Sequence, residues 1–272
     1  SAASDVYKRQ IREPEQPKKP SEDRKGEVAF SHVSFRYPGA EEEVLHDITF
    51  TAKKGETVAF IGSTGSGKST LVNLIPRFFD VTEGAICIDG VDIRDMDIKD
   101  LRSRLGYVPQ KGVLFSGTIE SNLRFGAQEA SMEELNKAAD IAQASEFIAA
   151  KDDGMQSPIA QGGTNVSGGQ KQRLSIARAV AKRPEIYIFD DSFSALDYKT
   201  DAALRQALKK ETSEATTLIV AQRISTILHA DKIMVLDNGN VVGSGTHKEL
   251  LESCEVYQQI AKSQLSKEEL EA

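Results

Sequence analysis

Residues 56–70 read ETVAFIGSTGSGKST, and this stretch decides the fold. Its first seven residues form a short, β-branched apolar run of the kind that makes a buried strand. Gly62, Gly67, Lys68 and Ser69 then follow in the spacing G-x-x-x-x-G-K-S, before a stretch compatible with a helix. The glycines permit a tight turn through Ser63, Thr64, Gly65 and Ser66, whose backbone N–H groups can converge on phosphate oxygens. The helix start adds a positive dipole end, with Thr70 in its first turn. Lys68 is placed to neutralise β/γ-phosphate charge, and Ser69 to offer its hydroxyl to Mg²⁺. The reading is of a loop that holds the phosphates of a nucleotide together with Mg²⁺.

Such a loop needs an acidic partner at the end of another buried strand, and IYIFDD (186–191) supplies Asp190 for the magnesium shell. Further short apolar runs read as strands: EVAFSHVSF (27–35), VLHDITFTA (44–52), AICIDG (85–90), LGYVPQ (105–110), TTLIVA (216–221) and KIMVLD (232–237). The later ones alternate with helix-length segments at 167–183 and 197–213, which predicts α/β layering. Between about 113 and 161 the strand signals stop. There SMEELNKAADIAQASEFIAA (131–150) spaces Leu135, Ala138, Ala139, Ala142 and Phe147 near a helical period, predicting an inserted helical subdomain over about 113–170. The fold class is therefore α/β, a P-loop NTPase core with an antiparallel β subdomain and the helical insert. No internal repeat is present.

The 272 residues are 39% hydrophobic and 28% charged, enough apolar material for a core. No run approaches the roughly 18 apolar residues of a membrane span. A net charge of -7 argues against nucleic-acid binding, which calls for a basic footprint. The only cysteines, Cys87 and Cys254, lie far apart without metal-ligand spacing and read as reduced cytosolic thiols. SAASDVYKRQ (1–10) closely resembles the translation of a sequencing-library transposase adapter and reads as a processing scar, with a native disordered tail as the alternative. Residues 11–26, with Pro14, Pro17 and Pro20 among charges, read as a flexible linker from something upstream, which the resemblance given below implies is a membrane domain. The domain then occupies 27–263 and a polar tail 264–272.

NVSGGQKQRLSIARAV (165–180) carries the most specific signal, because Ser167, Gly168, Gly169 and Gln170 resemble the signature motif of ABC ATPases. A serine and small glycines at a helix start suit contact with a phosphate. The resemblance runs from about residue 26 to 263, and it implies that these four residues face the γ-phosphate of ATP bound to a second such domain. It also implies that Tyr37 in FRYPG stacks on adenine and that Gln110 in YVPQ reaches the magnesium or the attacking water. FSGTI (115–119) is similar to the exporter form of the contact region for membrane domains, and Asp197 in SALD matches the loop that communicates between the two sites.

Three positions depart from the family pattern. Asp191 stands where a catalytic glutamate normally follows the Walker B aspartate, and Gln222 where a histidine normally follows the strand. Gln161 replaces a glutamate frequent in exporters. Asp191 is one methylene shorter than a glutamate, which holds its carboxylate back from the attacking water, and Gln222 cannot become a cation. The nucleotide loop and signature are kept. This pattern resembles the degenerate-site half of heterodimeric bacterial multidrug exporters, and FDDSFSALDYKTD and AQRISTI are similar to that half in particular. The resemblance implies an ATP-binding exporter subunit on the cytoplasmic face of the membrane, paired with a different nucleotide-binding subunit. Three alternatives stand beside it: an active homodimer, a nucleotide-gated structural subunit without hydrolysis, and a soluble ABC ATPase acting on nucleic acid or ribosomes. The single cassette, acidic charge and FSGTI count against the last.

Overall fold

A computed structural model describes residues 11–271. In chain order the strands are β1 (Val28–Phe35), β2 (Leu45–Ala52), β3 (Thr57–Gly62), β4 (Glu83–Ile88), β5 (Val91–Asp92), β6 (Leu105–Val108), β7 (Gly117–Thr118), β8 (Pro158–Ile159), β9 (Ile186–Asp190), β10 (Thr216–Val220), β11 (Lys232–Asp237) and β12 (Asn240–Gly245). The helices are α1 (Lys68–Asn73), α2 (Ile98–Ser103), α3 (Ile119–Leu123), α4 (Met132–Ile141), α5 (Ser145–Ala149), α6 (Gly168–Ala181), α7 (Tyr198–Glu211), α8 (Ile224–Ile227), α9 (His247–Ser253), α10 (Glu255–Gln264) and α11 (Lys267–Glu271). They form two compact units, one made of the chain up to residue 102 with the chain from 216, the other of residues 103–215. The expected scar at 1–10 lies outside the described residues.

In the first unit, β2, β1, β4 and β5 make an antiparallel sheet. Its core is aromatic: Phe30 stacks on Phe50 at 4.7 Å between centroids, and Phe50 meets Phe60 edge-on at 5.3 Å. Strand β3 runs parallel to both β10 and β11, Ala59 standing opposite Ile219 on one side and Ile233 on the other. Flanked on both edges, β3 buries Val58 to Ile61, which is why it is a continuous apolar run rather than an alternating one. Its carboxyl end delivers Gly62, the usual place for a ligand in a parallel sheet. The left-handed Asn238 and Gly239 turn the chain from β11 into β12. Gly239 donates its N–H to the Ser66 carbonyl at 3.0 Å, and a Cβ there would stand 2.1 Å from the Val44 carbonyl oxygen.

Residues 11–26 are irregular apart from a 3₁₀ turn at Glu22–Arg24. They are tied to the first unit where Lys18 meets Asp95, both backbone N–H to carbonyl and ammonium to carboxylate at 2.8 Å. Arg77 adds a bond from Nη2 to the Arg12 carbonyl at 3.1 Å.

In the second unit β6 and β9 pair in parallel, Val108 opposite Phe189. Helix α6 carries the core of this unit, with Leu174, Ile176 and Ala177 fully buried. The segment 131–150 folds as two helices. Ser131 caps α4 through Glu134, but Gln143 takes φ 58° and breaks the run before α5. The break is set by α6: Arg173 donates from Nη1 to the Gln143 carbonyl at 2.7 Å while its guanidinium lies 4.7 Å from the Phe147 ring centre. No helix among the described residues is long and apolar enough to cross a membrane.

Candidate nucleotide site

The first unit holds the phosphate loop. Gly65 and Gly67 take φ of 80° and 100°, conformations that require glycine. A Cβ on Gly62 would stand 2.2 Å from the Leu236 carbonyl oxygen, so this glycine is fixed by the close approach of β11. Ser63, Thr64 and Gly65 are exposed at the tip, whereas Ser66, Gly67 and Lys68 are buried. Lys68 is only 8% exposed, and its ammonium donates to the Gly62 carbonyl at 2.7 Å and the Ser63 carbonyl at 2.9 Å. The cation thus sits inside the turn predicted to face phosphate. Ser69 is exposed at the second residue of α1, and Thr70 accepts or donates a 2.8 Å bond with the Tyr37 hydroxyl. Tyr37 is half-buried, its ring edge-on to Phe35 at 4.8 Å and to Phe79 at 5.3 Å. The aromatic residue predicted to stack on a base is therefore bonded to the loop predicted to hold phosphates.

Gln222 is exposed just past β10. Its backbone is clasped by α10: Gln264 donates to the Gln222 carbonyl at 2.7 Å and accepts from the Ile224 N–H at 2.8 Å.

The second unit holds the acidic residues. Asp190 ends β9 and is 7% exposed; Asp191, 8% exposed, takes φ 50°. The Gln110 amide donates to the Asp191 carboxylate at 3.0 Å. Beneath them the Tyr107 hydroxyl is pushed well above its ordinary pKa by burial, then by the charge of Asp190 and a hydrogen bond to it. Ser192 donates its hydroxyl to the Val108 carbonyl at 2.7 Å, closing the ends of β6 and β9 together.

Ser167 caps α6, accepting from the Gln170 N–H at 3.1 Å while its own N–H donates to Gln170 Oε1 at 3.2 Å. Gly168 has no neighbour within 4 Å of a Cβ built on it, and Gly169 meets only the Ala195 carbonyl oxygen at 3.8 Å. Neither has a positive φ. The fold of this chain does not demand glycine at either place. Asp197 caps α7, and the hydroxyl and N–H of Thr200 at 2.7 and 2.9 Å hold its carboxyl below the usual range.

The hydroxyl of Ser69 in the first unit and, in the second, the carboxylate of Asp190 and the amide of Gln110 are each hard oxygen donors of the kind Mg²⁺ selects. Two contributors were not found from sequence: Tyr107, which supports Asp190, and Gln172, buried on α6. Both lie inside stretches read as motifs, Tyr107 in YVPQ and Gln172 in NVSGGQKQRLSIARAV, but the partners that give them a role, Asp190 for the first and Pro109 and Gly112 for the second, are far away in sequence.

The ABC transporter family model matches residues 45–194, more than half of the chain. The chain belongs to the ABC transporter family, as its ATP-binding domain. It is 49% identical over 254 residues to an uncharacterized ABC transporter ATP-binding protein of Mycobacterium tuberculosis, covering 92% of this chain and 43% of the relative. It is 46% identical over 228 residues to a putative multidrug export ATP-binding/permease protein of Bacillus subtilis, covering 84% and 39%. The solved structure of a bacterial Atm1-family ABC exporter with ATP bound is similar, with TM-score 0.89 and 37% identity over 94% of this chain and 45% of that one. The chain spans under half the length of these relatives.

Proposed function

We propose that the chain binds Mg-ATP and works as the nucleotide-binding part of an exporter on the cytoplasmic face of a membrane. The observation that carries this reading is the buried Lys68 ammonium inside a glycine turn at the end of β3. Tyr37 takes the adenine, residues 62–70 the phosphates, and Ser69, Gln110 and Asp190 the magnesium. When bound, Mg²⁺ neutralises charge developing on the transferred phosphoryl group. Lys68 adds a fixed positive charge, and Gln110 reaches the magnesium or the attacking water. The exporter setting is supported by the printed names of the relatives and the solved structure.

The partner is a second nucleotide-binding domain, a different subunit, whose ATP meets Ser167 to Gln170 of this chain. Gly168 and Gly169 support this, since backbone open to close approach is present where the chain's own packing makes no use of it. With Asp191 and Gln222 in place of glutamate and histidine, the chain's own ATP is held more than it is cleaved, and turnover runs at the partner's site. Membrane helices outside this sequence carry the substrate.

Thermal unfolding with and without millimolar Mg-ATP tests the base of this reading. A ligand at 100 times its dissociation constant stabilises the fold by about 2.7 kcal/mol. Wild type should shift upward and Lys68→Ala should not; no shift in wild type refutes the assignment.

A further inference from the structure

Gln172 is the one buried glutamine among the described residues, 1% exposed. It lies on α6, five residues past the cap Ser167. An amide removed from water is costly unless both its halves are bonded. Here both halves bond to one short loop. Oε1 accepts from the Gly112 N–H at 2.7 Å and Nε2 donates to the Pro109 carbonyl at 3.0 Å. The two bonds bracket Gln110 and Lys111. Between the brackets Gln110 is exposed, with its amide 3.0 Å from the Asp191 carboxylate.

The loop can lie this close to α6 only because residue 112 is glycine. A Cβ there would stand 2.7 Å from Ser175 Oγ and 2.9 Å from the Lys171 carbonyl oxygen. The first is a side-chain end that could turn, but the second is helix backbone and cannot. The register of β6 with β9 ends at Val108, and the Gln172 amide bonds the loop that follows.

We propose that Gln172 is a positioning residue: it staples the loop 109–112 to α6 so that Gln110 is presented to Asp191 and to the magnesium end of the site. The part played by Gln110 rests on the function proposed above; the staple itself does not. The loop that carries Gln110 is thus tied to α6 within two turns of Ser167.

Two variants of the 272-residue chain test this, Gln172→Leu, which removes both bonds, and Gly112→Ala, which lifts the loop from outside. The first readout is amide hydrogen exchange in peptides spanning 109–115, without nucleotide. Loss of two bonds should speed exchange there about tenfold or more while β9 exchanges as in wild type. The second readout is the affinity for a fluorescent ATP analogue with Mg²⁺ and with EDTA. Both variants should lose most of the Mg²⁺ preference, as Gln110→Ala should, and keep metal-free binding, which the proposed function assigns to residues 62–70. If Gln172→Leu is too unstable to purify, Gly112→Ala alone decides. Unchanged exchange at 109–115, or a loosened loop that keeps the wild-type Mg²⁺ preference while Gln110→Ala loses it, overturns the proposal. Should Gln110→Ala leave the Mg²⁺ preference intact, the role given to Gln110 fails instead, and the exchange readout still decides the staple.

Discussion

The Asp191 carboxylate is aimed by two independent constraints, the 3.0 Å bond from Gln110 and its own left-handed backbone at φ 50°. A side chain in that region strains against the following carbonyl by about 1–2 kcal/mol, and aspartate and asparagine tolerate it best. Asp191→Asn should therefore leave the unfolding free energy within about 0.5 kcal/mol of wild type. Asp191→Val, with a branched Cβ in the same conformation, should cost about 2 kcal/mol or more. Equilibrium urea unfolding measures both. Equal losses would mean that the backbone here is not constrained as described.

Two glycines separate what the fold needs from what a partner needs. Gly67 combines φ 100° with a Cβ position 2.7 Å from Leu45 Cδ2, so Gly67→Ala should destabilise the chain by about 1–3 kcal/mol. Gly168 has ordinary helical geometry and open space, so Gly168→Ala should be neutral or stabilise by up to about 1 kcal/mol. In the assembled dimer, the same Gly168→Ala should lower turnover, because the methyl group stands where the partner's nucleotide must approach. A Gly168→Ala variant that turns over normally would remove the support these glycines give to the two-domain reading.

The phosphate loop was legible because its cause is local: a buried strand, then glycines that only a tight turn requires, then lysine and serine one after the other. The predicted runs at 27–35, 44–52, 56–62 and 232–237 contain β1, β2, β3 and β11. β12 was missed because NVVGSG lacks alternation; it pairs only because β11 lies beside it, and the Asn238–Gly239 turn was its one local signal. The break at Gln143 had no local signal, since it depends on Arg173 taking a carbonyl thirty residues away in sequence. Likewise Tyr107 acquires its role from Asp190, and Gln172 from Pro109 and Gly112, pairs that meet only after α6 and β9 have packed.

His247 gives the first unit a pH dependence. Its Nδ1 lies 2.6 Å from the hydroxyl of the fully buried Tyr257, and burial, then the charge of His229, hold its pKa below the ordinary value. The unfolded chain takes up a proton near pH 6.5 that the folded chain refuses until lower pH. Stability is thus complete above about pH 6.5 and is lost as pH falls from there through the folded pKa. His247→Gln can still bond Tyr257 but cannot titrate. Its Tm should fall less than that of wild type between about pH 7 and pH 5, a window set by the ordinary histidine pKa. Parallel curves for the two proteins would show that His247 is not the group responsible.

The division of labour between the two nucleotide sites is the sharpest test of the proposed function, and it compares Asp191 with Ser167 in one heterodimer preparation. A well-placed general base is worth about 10²- to 10⁴-fold in rate. If Asp191 no longer fills that role, Asp191→Asn removes little of the total turnover, and the left-handed backbone makes asparagine a fair replacement. Ser167 differs because its hydroxyl and Gln170 build the exposed start of α6. Ser167→Arg discards that cap, at about 1 kcal/mol, and sets a bulky cation where the partner's γ-phosphate must come. It should abolish nearly all turnover while this chain still binds ATP through Lys68, which nucleotide binding to the purified chain checks separately. Equal damage from the two variants would instead make Asp191 a working base, and the active homodimer would become the better reading. No turnover in the wild-type pair would favour a subunit that is gated by nucleotide without cleaving it.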